Sequence, residues 1–170
     1  MPDWTGSVIS AGIIAFIFNV LLTHYKDYNN RKIQVATLKK ALKTELETLL
    51  KIYEPRKIKP EPPHDGVDIK VISLQSKYTT VFAENASKIG MLDESIAQSV
   101  VVAYTRLSAL MDTLRVYSRR WEDKIANQRH GDPKYQGIYD NDVLSCHMIS
   151  YIEQEITLNA VNDAIERLGR

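Results

Sequence analysis

The stretch WTGSVISAGIIAFIFNVLLTHY, residues 4–25, contains no Asp, Glu, Lys or Arg. As a helix with a rise of about 1.5 Å per residue, it would be about 33 Å long, enough to cross a hydrocarbon core of about 30 Å. Trp4 and Tyr25 stand at its two ends, where amphipathic rings favour the membrane–water interface. The sequence therefore predicts a transmembrane helix within residues 1–25.

Positive charge follows this stretch and does not precede it. Lys26, Arg31 and Lys32 come first, and further lysines follow, whereas residues 1–25 hold no Lys or Arg. A cleaved signal peptide would have its basic residues before the apolar core, and an interfacial or soluble helix would show a charged or polar face. The positive-inside rule thus predicts a bacterial inner-membrane protein whose N-terminus is outside and whose bulk is cytoplasmic.

Composition narrows the classes of function. The chain has 170 residues, a formal net charge of +1 and a single cysteine, Cys146. One cysteine excludes an internal disulfide and a multi-cysteine zinc site, and a charge near zero gives no global field for nucleic acid. Neither a His-x-x-x-His pair nor a glycine-rich phosphate loop occurs. We predict no cofactor, no metal and no enzymatic activity.

The pattern along the chain predicts four segments. Residues 1–25 are the membrane helix, and 26–53 form a juxtamembrane helix with apolar residues at spacings of three and four. A break between these two is favoured at Asn29-Asn30. Four prolines within 54–67 predict a stiff, exposed linker. Residues 68–170 are predicted to form a cytoplasmic helical bundle, although the beginning of this segment also fits a short strand.

Three helices are predicted inside the bundle. The first is short and is closed by Gly90 in a left-handed conformation. The second starts after Asp93, ends near Arg129 and has a continuous apolar stripe between Ile96 and Trp121. The last is capped by Asp140 or Asn141. Its predicted buried stripe comprises Leu144, His147, Met148, Tyr151, Ile152, Ile156, Val161, Ile165 and Leu168. The fold class is all-α: one N-terminal transmembrane helix followed by a cytoplasmic antiparallel helical bundle.

Small and polar residues share one face of the apolar segment. Gly12 and Asn19 are seven positions apart, and Ala15 lies between them on the same face. Small residues let membrane helices approach closely, and an Asn in hydrocarbon requires a hydrogen-bond partner. These three residues are the predicted oligomerisation face, with Asn19 as a candidate to line a narrow pore. The alternative is a simple anchor that tolerates one polar residue.

Two further clusters are candidate sites. Arg115, Arg119, Arg120 and Lys124 surround aromatic residues and could form a ligand or nucleic-acid surface for a nucleotide or RNA. The alternative is a solvated face with cations near a helix C-terminus. Cys146 is followed by His147, but neighbouring helical residues point about 100° apart. We therefore interpret this pair as a buried cysteine beside a core histidine.

Two stretches of the chain resemble segments of uncharacterised single-pass membrane proteins of bacteria and their phages. They are LKKALKTELETLL (38–50) and YTTVFAENASKIGMLDESIAQSVVVAYTRLSALMDTL (78–114). The architecture is similar to that of the membrane-anchored accessory protein of Cas13b-type CRISPR systems. That protein assembles into a ring-shaped membrane pore, strengthens anti-phage defence and has a domain related to HEPN folds. Nuclease members of that fold have Arg, then four to six residues, then His. Arg129 is adjacent to His130 and Arg120 is ten positions before it, so neither spacing matches.

The resemblance implies a self-assembling membrane effector in phage-related defence that perturbs the membrane or its permeability. The expected partners are membrane lipid, further copies of the chain, and a cytoplasmic protein, nucleotide or RNA that acts as a trigger. The alternative is a membrane-anchored adaptor, or an immunity or superinfection-exclusion protein, that binds a partner protein through its bundle. The two hypotheses differ in the role of Asn19, which only the first requires.

Overall fold

The computed structural model describes residues 4–54, 57–61, 79–130 and 135–170, with side chains described for 16–54, 57–61, 79–128 and 135–170. Every regular element assigned in these ranges is helical, which confirms the all-α prediction. The elements are α1 (Trp4–Tyr53), α2 (Thr80–Asn85), a 3-10 helix (Ala86–Met91), α3 (Glu94–His130) and α4 (Gln136–Gly169). The chain divides into two compact units, Met1–Leu38 and Lys39–Arg170, which we describe separately.

The first unit is helical from Trp4 onwards and continues through Asn29-Asn30 without the break that the sequence favours there. Its side chains from residue 16 to residue 34 are all exposed. Phe16, Ile17 and Phe18 are 69%, 51% and 62% exposed, and consecutive residues of a helix point about 100° apart. Between residues 16 and 22, apolar side chains therefore cover this helix on every side but that of Asn19, whereas most side chains from Thr23 to Gln34 are polar or charged.

Among the described residues, no helix has a run that is both long enough and apolar enough to cross a membrane. The side chains of residues 4–15, which form the first half of the predicted span, lie outside the described residues.

In the second unit, residues 39–53 of α1 pack with α3 and α4. Side-chain pairs fix the directions of the helices. Arg106 meets Glu153 and Arg120 meets Asp142, so α3 and α4 are antiparallel. Glu45 meets Tyr104, and Tyr53 packs against Leu110 and Leu114, so α1 runs parallel to α3. The predicted antiparallel arrangement thus holds for α3 and α4, and residues 39–53 of α1, which the sequence placed outside the bundle, join it parallel to α3.

The buried face of α4 differs from the predicted one. Its buried positions alternate strictly at spacings of four and three, as in the seam of a coiled coil. They are Val143, His147, Ser150, Gln154, Thr157, Val161, Ala164 and Leu168. Of the predicted stripe, His147, Val161 and Leu168 are buried, whereas Leu144, Met148, Ile152 and Ile156 are exposed. The prediction was wrong because it followed hydrophobicity, while polar side chains occupy the centre of the seam.

Two local predictions are also wrong. Helix α4 begins at Gln136, one turn before the predicted caps, and the side chain of Gln136 there donates to Asp140 Oδ1 at 3.2 Å. Gly90 lies inside the 3-10 helix, with no left-handed φ. The turn is instead closed by the N–H of Leu92, which donates to the carbonyl of Ile89 at 3.0 Å. By contrast, α3 begins directly after Asp93, as predicted.

The carboxylate of Glu45 fixes α2 to the bundle. It accepts hydrogen bonds from the N–H groups of Val81 at 2.7 Å and Phe82 at 3.1 Å, and from the hydroxyl of Tyr104. The rings of Phe82 and Tyr104 stack with centroids 4.1 Å apart. Because the first N–H groups of a helix lack intrahelical partners, Glu45 caps α2 from a distant part of the chain.

The side-chain amide of Gln154 fixes the linker. Its Oε1 accepts from the hydroxyl of Tyr53 and from the N–H of Ile58, both at 2.7 Å, and its Nε2 donates to the Ile58 carbonyl at 3.0 Å. Gln154 is 1% exposed, and the Ile58 side chain packs against two clusters of the core. The described linker residues on both sides of Ile58 are exposed, as predicted, and Ile58 itself anchors the linker to the bundle.

We expect Gln154→Leu to lower the free energy of unfolding by about 2–3 kcal/mol, because the Ile58 backbone and the Tyr53 hydroxyl would lose their partner in a buried place. Urea denaturation of the full chain measures this change. Gln98→Leu is the matched control, since Gln98 is exposed on α3, and its effect should stay within about 0.5 kcal/mol. Equal losses in both variants would contradict a structural role for the Gln154 amide.

Candidate interaction surfaces

The predicted oligomerisation face is described only at Asn19. The Asn19 side chain is exposed, and its backbone carbonyl accepts a hydrogen bond from Thr23 Oγ1 at 2.9 Å. At Gly12 and Ala15 only the helical backbone is described. Self-association through these three residues therefore stays a prediction.

The basic cluster on α3 is largely paired with acidic side chains. Arg115 contacts Asp112 at 2.8 Å, Arg120 contacts Asp142 at 3.8 Å, and Lys124 contacts Asp140 at 3.0 Å. Lys124 also lies 5.0 Å from the ring centroid of Trp121, which is a cation–π distance. Arg119 is exposed. These carboxylates reduce the positive potential that a nucleotide or RNA would meet, and anion binding here stays a prediction.

The neighbouring Cys146 and His147 have different environments. His147 is 2% exposed, and its Nδ1 lies 3.2 Å from the hydroxyl of Tyr117. Its Nε2 has no hydrogen-bond partner among the described residues, and the same holds for Ser150 Oγ. The pKa of the Cys146 thiol is raised, chiefly by burial. The charge of Arg120 opposes this shift, and the charge of Asp142 adds to it. A raised pKa disfavours the thiolate that a nucleophilic cysteine needs.

Three tyrosines in the core are held in their neutral form. Burial raises the pKa of Tyr104, with further contributions from its hydrogen bond to Glu45 and from the charge of that residue. Burial and the charge of Glu155 likewise raise the pKa of Tyr53. For Tyr117, burial, followed by the charge of Cys146, raises the pKa to about 12. All three hydroxyls therefore serve as hydrogen-bonding groups of the bundle at neutral pH.

The surface that sequence reasoning missed is the side of α4 opposite its buried seam. Ile152 is two positions from both Ser150 and Gln154, which corresponds to about 200° around the helix axis. We call this side the outer face of α4, and its apolar members are Ile138, Leu144, Met148, Ile149, Ile152 and Ile156, all exposed. A surface helix usually has the reverse arrangement, with apolar residues inside and polar residues outside.

A sequence signal for this arrangement exists. The eight seam positions between Val143 and Leu168 hold no charged residue, whereas the outer face is interrupted by Glu155 and Asp163. An unbroken spacing of four and three without charge indicates a helix seam better than hydrophobicity does. Gln154 itself could not have been recognised, since its partners Tyr53 and Ile58 are about a hundred positions away.

Comparison with protein families, with characterised proteins and with solved structures gives no match for this chain. Among the described residues, no group of three or more His, Cys, Asp and Glu side chains is placed to hold a metal ion.

We expect the stability of the bundle to fall as the pH rises above about 10, where tyrosines of the unfolded chain ionise. In the folded protein the pKa of Tyr117 is raised to about 12. The contribution of Tyr117 to the free energy of unfolding is therefore complete below pH 10 and is lost as the pH rises towards 12. Urea midpoints measured from pH 9 to pH 12 would test this expectation. Tyr117→Phe should make the decline shallower than in the control Tyr28→Phe, where an exposed hydroxyl is removed. Midpoints independent of pH would contradict the burial of these hydroxyls.

Proposed function

We propose that this protein is a single-pass inner-membrane protein that self-assembles and perturbs the membrane or its permeability, as an effector in phage-related defence. The main support is the exposure of apolar side chains around α1 between residues 16 and 22, where Asn19 is the one polar residue. Such a surface is unfavourable in water and suits a lipid environment or a helix assembly. The defence context derives from the resemblance to the accessory protein of Cas13b-type CRISPR systems.

The membrane helix of this proposal comprises residues 4–25, and the positive-inside rule places the N-terminus outside and the bundle in the cytoplasm. Anchoring concentrates the chains in the plane of the membrane, which favours even weak contacts between them. Gly12 and Ala15 would allow close approach, and Asn19 would bond to a neighbouring helix. A cytoplasmic trigger at Arg115, Arg119, Arg120 and Lys124 is part of the proposal.

An alternative function is that of a membrane-anchored adaptor or immunity protein. The outer face of α4 favours it, because an exposed apolar strip on a helical bundle is typical of surfaces that bind another protein. In this case residues 4–25 are an anchor only, and the oligomeric state would not depend on Asn19.

Membrane insertion is tested first, on the full chain in its bacterial host. We expect the protein to stay in the membrane pellet after alkaline carbonate washing, because an apolar span of this length is not released by removing surface charge. Release into the supernatant would contradict a spanning helix. The N-terminus is expected to react with a membrane-impermeant amine reagent from outside the inner membrane.

Self-assembly is tested by native mass measurement of the full chain in lipid nanodiscs. We expect a discrete oligomer, and we expect Asn19→Leu to weaken it. One interhelical hydrogen bond in a membrane contributes about 1 kcal/mol, so dissociation should occur at a roughly fivefold higher protein-to-lipid ratio. Ile17→Leu is the matched control, since it places the same residue on the opposite side of the helix. An oligomer unchanged by Asn19→Leu would favour the adaptor.

A further inference from the structure

Three cationic side chains follow the apolar part of α1 within the first unit. They belong to Lys26, Arg31 and Lys32, and all three are exposed. We call these three residues the basic collar of α1. Asp27 is the one acidic residue between residues 4 and 44, so positive charge predominates in this part of the helix.

The charges of the basic collar are not neutralised by the rest of the described chain. None of its three residues forms an ion pair with another described residue, and Asp27 likewise forms none. The cations of α3 differ in this respect, since Arg115 contacts Asp112 at 2.8 Å. The basic collar is therefore available to an anion from outside the chain.

The direction of the side chains brings the basic collar towards the apolar segment. In an α-helix the Cα–Cβ bonds tilt towards the N-terminus, and a long side chain lies over the preceding turn. Lys32 shows this direction, because its Nζ lies 5.8 Å from the ring centroid of Tyr28, one turn earlier. In α1 the N-terminal direction leads to the apolar side chains of residues 16–22.

The distances along the axis match the headgroup layer of a bilayer, which is about 5–8 Å thick on each side of the hydrocarbon core. With Tyr25 at the end of the span, Lys26 begins this layer. The Cα of Arg31 is about 9 Å beyond Tyr25, and a side chain that extends back over one turn of about 5 Å returns its charge to the layer.

The arrangement around the axis favours lipid over a macromolecular partner. At 100° per residue, Arg31 is about 140° and Lys32 about 240° from Lys26, so the three cations point to three sides of the helix. A folded protein or a nucleic acid contacts one side of a helix, whereas a lipid leaflet surrounds it. Tyr25 and Tyr28 are 69% and 64% exposed, and their amphipathic rings favour the same interface.

We propose that the basic collar binds the headgroups of anionic phospholipids in the leaflet at the C-terminal end of the span. This inference rests on the proposed membrane span and names the class of lipid that surrounds it. Ammonium and guanidinium groups donate charge-assisted hydrogen bonds to phosphate oxygens. A cation next to an anionic leaflet also gains an attraction that zwitterionic lipid, without net charge, does not provide.

Lipid binding and self-association use different sides of the helix. Lys26 is seven positions after Asn19 and lies on the side that is predicted to self-associate. Arg31 and Lys32 are about 120° or more away from Asn19 around the axis. These two residues therefore meet lipid whether or not the chains assemble through Asn19.

The test uses the full chain in nanodiscs made from equal amounts of phosphatidylglycerol and phosphatidylcholine with the same acyl chains. The lipids that stay on the chain after its release from the disc are counted by native mass spectrometry, which separates the two headgroups by mass. We expect phosphatidylglycerol to exceed phosphatidylcholine about fivefold at low salt. The excess should fall as salt is added, because screening weakens the attraction between exposed charges.

Variants assign the excess to the basic collar. Lys26→Gln, Arg31→Gln and Lys32→Gln together should bring the two lipids to equal numbers. A nanodisc has the same lipid in both leaflets, so an altered orientation of this variant does not affect the count. Asn19→Leu should retain the excess, which separates the lipid preference from self-assembly.

The matched control is the triple variant Lys51→Gln, Lys59→Gln and Lys88→Gln. It removes the same formal charge from exposed positions of the second unit. We expect it to keep the full excess of phosphatidylglycerol, because its lysines do not follow the apolar segment directly.

Four results would overturn the proposal. Equal numbers of the two lipids on a parent chain that stays in the disc would contradict it and leave the span intact. A chain that does not enter the disc would overturn the span and this inference together. An excess lost equally in the control variant would assign the attraction to net charge. Binding of a 20-nucleotide RNA that depends on the basic collar, without any excess of phosphatidylglycerol, would assign these cations to nucleic acid.

Discussion

The side-chain amide of Gln154 binds both backbone groups of Ile58 and the hydroxyl of Tyr53 inside the bundle, and the rest of the second unit depends on these contacts. An amide can form these bonds only if α1, the linker and α4 are placed together, since the partner atoms belong to three parts of the chain. Leaving any of them unpaired in the core would cost about 1–3 kcal/mol. A buried polar group of this kind thus selects one register of the helices among the many that hydrophobic contact alone would allow.

Burial of polar residues in α4 has a consequence for its opposite side. Because Ser150, Gln154 and Thr157 occupy the seam, the isoleucines of the helix lie outside the bundle. The two units then offer different surfaces: apolar side chains around most of α1 between residues 16 and 22 in the first, and an apolar strip on the outer face of α4 in the second. The first suits lipid or like helices, and the second suits an apolar surface of another protein. The proposed roles of anchor and docking module follow from this difference.

Helix α3 and the all-helical class could be predicted from the sequence because the apolar stripe of α3 coincides with its buried face, including Val100, Leu110 and Leu114. The buried face of α4 could not be predicted from hydrophobicity, since its polar residues are tolerated only through distant partners such as Tyr53 and Ile58. The contact of Glu45 with α2 escaped prediction for the same reason, because capping groups are usually sought within one turn of the helix end. The site residues Gly12, Ala15 and Asn19 were inferred from spacing alone.

Residue-resolved hydrogen exchange of the full chain tests the central role of Gln154 most directly. Ile58 lies outside every helix, yet its N–H donates to Gln154 Oε1 at 2.7 Å. The account predicts that this amide is protected to the same degree as the core amides of α4, because both are released only when the bundle opens. Exchange of the Ile58 amide at the rate of an unstructured peptide would contradict it, and would mean that Gln154 does not hold the linker on the bundle.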